Sequence, residues 1–158
     1  MLNVKNKHKL TLIIVHASDS YRQLIIDMLR EEGFCNFDQA SDGLQAFHIL
    51  KKRSIDIILS GMEMPEMNGL SLLKVVSGDQ TLFQIPFLLM TPSMSKEMVI
   101  EAGRCGVAGI LIEPMSHNAL KQKMSSLMAG SIDEEEKKTE KLFDAALKLT
   151  KEGDFDKA

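Results

Sequence analysis

His16, Ser60, Thr91 and Glu113 each stand where an apolar run of strand length stops. An imidazole and a carboxylate can share a proton, and a hydroxyl beside a general base can act as a nucleophile. Ser60 has no such base next to it, and on a strand its side chain points away from the face shown by residue 61, so it is expected to be a small core residue. The stretch "GMEMPEMNG" (61–69) adds Met62, Met64 and Met67, with Met115 nearby in the expected fold. Thioethers suit copper(I), but Met is also the adaptable filler of cores and protein-contact surfaces, and that second role is the expected one. Cys35 and Cys105 lie far apart with no metal-ligand spacing, and are expected to be reduced core thiols. No enzymatic activity is expected.

The elements that must position these residues alternate in kind. The runs "LTLIIV" (10–15), "FCNFDQA" (34–40), "IDIILS" (55–60), "PFLLM" (86–90) and "VAGILI" (107–112) have strand length. The first, third and fourth are almost continuously apolar, as strands covered on both faces are. Tyr21, Leu24, Ile25, Met28 and Leu29 make a helical stripe behind a Ser18 or Asp19 cap. Further helices are expected over 43–52, 69–77, 95–103 and from 116 to about 129. Five strand–helix units in strict alternation imply a parallel sheet with helices on both faces and right-handed crossovers. Ligands of such sheets gather at the carboxyl ends of the strands, beside the switch point.

The 158 residues are 44% hydrophobic and 26% charged, values of an ordinary globular protein. No apolar run approaches the length of a membrane span, and no small-residue cleavage site follows the basic segment 1–9. A cytoplasmic protein with no membrane association is therefore expected. The formal net charge of −3, without a basic stripe, argues against nucleic acid as a partner. Residues 131–158 hold nine acids and six lysines, so residues 1–130 balance at zero. That shift, at Gly130-Ser131, divides the chain into the basic segment 1–9, a domain over 10–130 and a helical extension over 131–158.

"LIIV", "SIDIILSGMEMPEMNGLSLLK", "IPFLLMT" and "AGRCGVAGILIEPM" follow one another at the spacing of a known module. Over about residues 10–129 the chain resembles the response-regulator receiver domain of bacterial two-component signalling. The resemblance implies a flavodoxin-like α/β fold, a doubly wound five-stranded parallel sheet in the order 2-1-3-4-5. It also implies a phosphorylation site at the strand ends: an acid pair for Mg²⁺ after the first strand and an acceptor aspartate ending the third. A Thr or Ser after the fourth and a Lys after the fifth complete it. Here the acid pair is His16-Ala17, the acceptor position is Gly61 and the lysine position is Glu113; Thr91 alone matches. Glu63 stands where the family offers a main-chain carbonyl to the metal, and Ile110 where a Tyr or Phe swings with phosphorylation state.

These departures have one physical direction. Mg²⁺ needs a near-octahedral oxygen shell, usually with a carboxylate or two, and glycine has nothing to phosphorylate. Glu113 places a negative charge where a phosphoryl oxygen needs a positive one. Pro92 removes a backbone donor beside Thr91. A pseudo-receiver is expected, with Mg²⁺ binding lost and no cofactor; His16 and Glu113 are expected to end neighbouring strands, where they either form a hydrogen-bonded pair or stay two solvated polar ends that never meet. Its expected role is phosphorylation-independent protein–protein interaction. The alternative is a phosphorelay receiver that takes phosphate on an unconventional residue. By analogy the partner face is the fourth helix, fifth strand and fifth helix, including Met98, Ile110 and Met115, and a homodimer could form through that face or the tail. In the tail, a capping box at 131–134 and a Leu142, Ala145, Ala146, Leu149 stripe precede "GDFDKA" (153–158). This resembles the start of a tetratricopeptide repeat, whose half-unit cannot bury its apolar face alone. Either the chain is a fragment of a longer repeat-containing protein, the expected case, or the tail docks on the receiver or on a second copy.

Overall fold

Chain hydropathy alone demands a two-sided sheet here, because three of its strands have no polar face to turn to water. In the computed structural model, which describes residues 4–129, the strands are β1 (Thr11–Val15), β2 (Asn36–Ala40), β3 (Ile57–Gly61), β4 (Phe87–Thr91) and β5 (Gly109–Ile112). The helices are α1 (Asp19–Glu31), α2 (Gly43–Lys52), α3 (Gly69–Ser77), α4 (Lys96–Arg104) and α5 (His117–Met128). All neighbouring strands are parallel, in the order β2-β1-β3-β4-β5. The repeat-like tail expected over 131–158 lies outside the described residues.

Successive residues of a strand point to opposite faces, and the core divides accordingly. Leu12, Ile14, Ile57, Leu59, Leu88 and Met90 pack with Ile25, Leu29, Leu120 and Met124 of α1 and α5. Ile13, Val15, Ile58, Phe87 and Leu89 pack with residues of α2, α3 and α4 such as Leu50, Leu72, Val76 and Ala102. Every residue of β3 and β4 is buried, whereas the edge strands β2 and β5 are only partly so. Each of the five helices opens on a side-chain cap, from Ser18, Asp42, Asn68, Ser95 and Ser116 respectively. Such a cap satisfies a backbone N–H that the helix itself leaves without a partner.

Three expectations are corrected. The buried stripe of α1 is Arg22, Ile25, Ile26, Met28 and Leu29, while Leu24 is 48% exposed. The helix is rotated because Arg22 finds partners inside: its Nε donates to Gln39 Oε1 at 3.0 Å, and its guanidinium also bonds the His16 carbonyl and Asp19. Neither cysteine is a core thiol, Cys35 being exposed and Cys105 half-buried. Met98 and Met115 are each only 8% exposed and sit in separate core clusters, so both side chains mainly pack in the core and present little surface to the face expected of them. Ile110 remains half-buried.

The described part of the basic N-terminal segment touches the end of α1. Val4–Lys9 forms a 3₁₀ helix, and Lys7 Nζ donates to the Glu32 carbonyl at 3.0 Å, where α1 ends. A cation there complements the negative end of the helix dipole. The same ammonium lies 5.6 Å from the centroid of the Phe34 ring.

Candidate functional site

The carboxyl ends of β1, β3, β4 and β5 bring His16, Gly61, Thr91 and Glu113 to one edge of the sheet. His16 is fixed at both ends of its own residue: its N–H donates to the Ala40 carbonyl at 3.0 Å, and its carbonyl accepts from Arg22. Glu113 N–H donates to the Thr91 carbonyl at 2.7 Å. From these anchors the two side chains meet, with His16 Nε2 and Glu113 Oε2 3.0 Å apart. Of the two arrangements the sequence left open, the pair is the one found, but the neighbouring strands expected to bring it about are not. β1 and β5 are not neighbours, since β3 and β4 lie between them.

Gly61 explains how the contact spans that gap. A Cβ placed on Gly61 would stand 2.8 Å from Cδ2 of the His16 ring. The imidazole thus lies directly over the end of β3, in the volume a side chain at 61 would need, and passes across it to Glu113. The ring is held on its other edge as well, because Ser18 N–H donates to His16 Nδ1 at 3.0 Å. That bond assigns the tautomer: Nδ1 accepts, so Nε2 carries the proton and donates to the carboxylate. Hydrogen bonds to an ionised acceptor are the strong ones, and this pair is shielded, with side chains only 17% and 13% exposed.

Tyr21 closes the site from α1, its ring 4.5 Å from that of His16 between centroids and tilted by 41°. Its hydroxyl oxygen is buried and has no hydrogen-bond partner of good geometry among the described residues. Burial pushes the Tyr21 phenol above its ordinary range; the Met115 backbone offsets part of this and the Glu113 charge adds to it. Thr91, the one position that matches the family pattern, is itself buried and engaged. Its hydroxyl donates to the Ser93 carbonyl at 2.7 Å, within its own loop. Ala17 and Glu63 are exposed. Ser60 is fully buried, its hydroxyl donating to the Gly61 carbonyl at 3.0 Å, as a core residue would.

The loop after β3 is pinned tightly against the site. Met62 N–H donates to the Met90 carbonyl at 2.7 Å and Gly69 N–H to the Met62 carbonyl at 2.9 Å. A Cβ on Gly69 would collide with the Gly61 carbonyl and Leu89, so only glycine lets α3 start this close to the strand. Met62, Met64 and Met67 pack on the core cluster beneath α2 to α4, whereas Met115 belongs to the cluster on the opposite face. The four thioethers do not converge on one centre, and no group of three His, Cys, Asp or Glu among the described residues could hold a metal. Arg22, Tyr21 and Ser18 are the site residues that sequence reasoning missed in this role. Tyr21 and Ser18 were visible only as stripe and cap, and nothing in the sequence marks Arg22 as buried.

A doubly wound sheet of this order, with its side chains converging at the carboxyl edge, is the architecture of a receiver domain. The sequence pattern of the response regulator receiver domain matches residues 12–125. The chain is 34% identical over 124 residues to chemotaxis protein CheY-3 of Vibrio cholerae, covering 78% of this chain and 95% of that one. To chemotaxis protein CheY of Pseudomonas aeruginosa it is 32% identical, over 73% of this chain and 94% of that one. Among solved structures it superimposes on Vibrio cholerae CheY4 with a TM-score of 0.68 at 28% identity, covering 74% and 97% of the two chains. The receiver domain of a histidine kinase from Syntrophus aciditrophicus gives 0.69 at 26% identity, covering 76% and 90%. The chain belongs to the response regulator receiver domain family of two-component signalling.

Two measurements check the site. Gly61→Ala is expected to lower stability by about 1–3 kcal/mol, because the new methyl overpacks against a ring held on three sides. In a His16→Ala background the same change should be neutral or stabilising, since alanine then relieves the strand of glycine's entropy; equal effects in both backgrounds by urea unfolding would refute the overlap. The second uses the only tyrosine of a chain without tryptophan. Its phenolate absorbance should titrate above the ordinary value of about 10 in the folded protein. A pKa raised on folding stabilises below the unfolded value and is lost as pH rises through the folded one, so the Tyr21 contribution is full below about pH 10 and is lost progressively above it. Glu113→Gln should bring the midpoint part of the way down, burial being the larger cause.

Proposed function

We propose that this receiver domain has left the phosphorylation chemistry of its family and acts as a phosphorylation-independent protein-interaction module, without enzymatic activity, in the bacterial cytoplasm. One observation carries the reading: the His16 imidazole lies over Gly61 and is hydrogen-bonded to Glu113, so the acceptor volume is filled by a side chain of the protein itself. The residues at the sheet edge do not fit Mg²⁺. His16 and Ala17 replace the acid pair, Gly61 brings no oxygen, and the one carboxylate that converges here, Glu113, already accepts from His16. Magnesium gives up its water shell reluctantly and wants carboxylates in near-octahedral array.

The remaining phosphate-binding parts agree with this. Thr91 has turned its hydroxyl to Ser93, and Pro92 offers no backbone N–H. Ile110 has no ring or hydroxyl with which to relay a change at Thr91, so nothing couples this edge to a switch. The domain is therefore read as held in one state, its surface permanently available to a partner. No described helix is long and apolar enough to cross a membrane, in keeping with a protein partner in the aqueous phase.

Incubation of the full chain with acetyl phosphate and magnesium, followed by intact-mass measurement, tests the reading. No phosphoryl adduct is expected, whereas a Gly61→Asp, His16→Asp, Ala17→Asp, Glu113→Lys variant restores the family's donor set and is expected to gain one. An adduct on the unaltered chain would instead establish phosphorylation at an unconventional residue.

A further inference from the structure

The loop that follows β3 is better built for contact than for catalysis. Met62, Met64 and Met67 are each half-buried, while Glu63 and Glu66 stand exposed between them. The segment is rigid: Gly69 N–H reaches the Met62 carbonyl, Gly43 N–H reaches the Met67 carbonyl at 2.9 Å, and Glu66 is held in the left-handed region at φ 63°. β3 and β4 are neighbours, so the loop leaving β4 rises beside it, and that loop exposes 50% of Met94. Neither Glu63 nor Glu66 has an ion-pair partner among the described residues. Lys96 and Glu97, at the start of α4, offset each other.

We propose that this crest, Met62, Met64, Met67 and Met94 with Glu63 and Glu66, docks a basic amphipathic segment of a partner protein. The inference rests on the reading of the domain as a protein-interaction module and names its surface and the chemistry of its ligand. Thioethers, one exposed at Met94 and three half-buried, adapt to an apolar face whose shape they do not specify. Two uncompensated carboxylates on a rigid loop select lysine and arginine on the flanks of that face and speed encounter. Because the loop is already pinned, little ordering entropy is lost on binding. The charge also argues against the chain's own extension as occupant, since residues 131–158 carry a net of −3.

The test uses the full isotope-labelled chain with two synthetic helical peptides, one of leucine and lysine, one of leucine and glutamate. The lysine peptide is expected to bind, with affinity falling as salt rises and amide shifts centred on residues 62–68 and 93–94. A Glu63→Lys, Glu66→Lys variant should weaken it at least about tenfold, and Met94→Ser, at an exposed position that leaves the fold intact, should weaken it severalfold. Unchanged affinity in the charge-reversed variant, equal binding of the glutamate peptide, or shifts centred on Ile112 and α5 would each overturn the proposal. Such a result removes this surface and leaves the phosphorylation-independent reading standing; a phosphoryl adduct with acetyl phosphate does the reverse.

Discussion

A neutral imidazole crossing a glycine to reach a carboxylate is the contact on which the rest of this site depends. His16 Nε2 donates to Glu113 while Nδ1 accepts from Ser18 N–H, so both ring nitrogens are satisfied and the ring cannot swing aside without breaking two bonds. A hydrogen bond to a charged acceptor contributes about 1.5–3 kcal/mol net, and leaving a shielded carboxylate without a partner costs more than a neutral group would. Gly61 is the other half of the arrangement. Any side chain there meets the ring, so it is glycine at 61 that admits the pair.

The sheet supplies the precision this requires. β1, β3 and β4 are buried on both faces and deliver His16, Gly61 and Thr91 to a common level, while Glu113 is tied back to Thr91 by its backbone. Arg22, buried in α1, holds the His16 carbonyl and joins it to Gln39 on β2, so the β1–α1 connection is fixed from two elements. On the proposed reading, the site has the polarity of its parts exchanged. Where the family places acids it has an imidazole, and where the family places a cation it has Glu113.

Most of the fold was legible because buried parallel strands and capped helices leave strong local signals. "LTLIIV", "IDIILS" and "PFLLM" overlap β1, β3 and β4 to within two residues, and the cap expected at Ser18 or Asp19 is Ser18, whose side chain accepts from the Tyr21 N–H. What failed was long-range or rotational. The His16–Glu113 pair was anticipated from charge types, yet it forms across two intervening strands and not between neighbours. The α1 stripe turned by one position because Arg22, polar by type, satisfies its guanidinium inside. Met98 and Met115 read equally well as surface or core, since thioether composition does not say which face a helix or loop residue takes.

The central claim is that the protein's own His16 and Glu113 occupy the place of metal and phosphoryl group. It is tested most directly by amide NMR of the full chain titrated with magnesium and beryllofluoride together. No saturable shift is expected at Gly61, Met62 or Thr91. Saturable shifts at those three amides, with displacement of the His16 ring from Glu113, would contradict it.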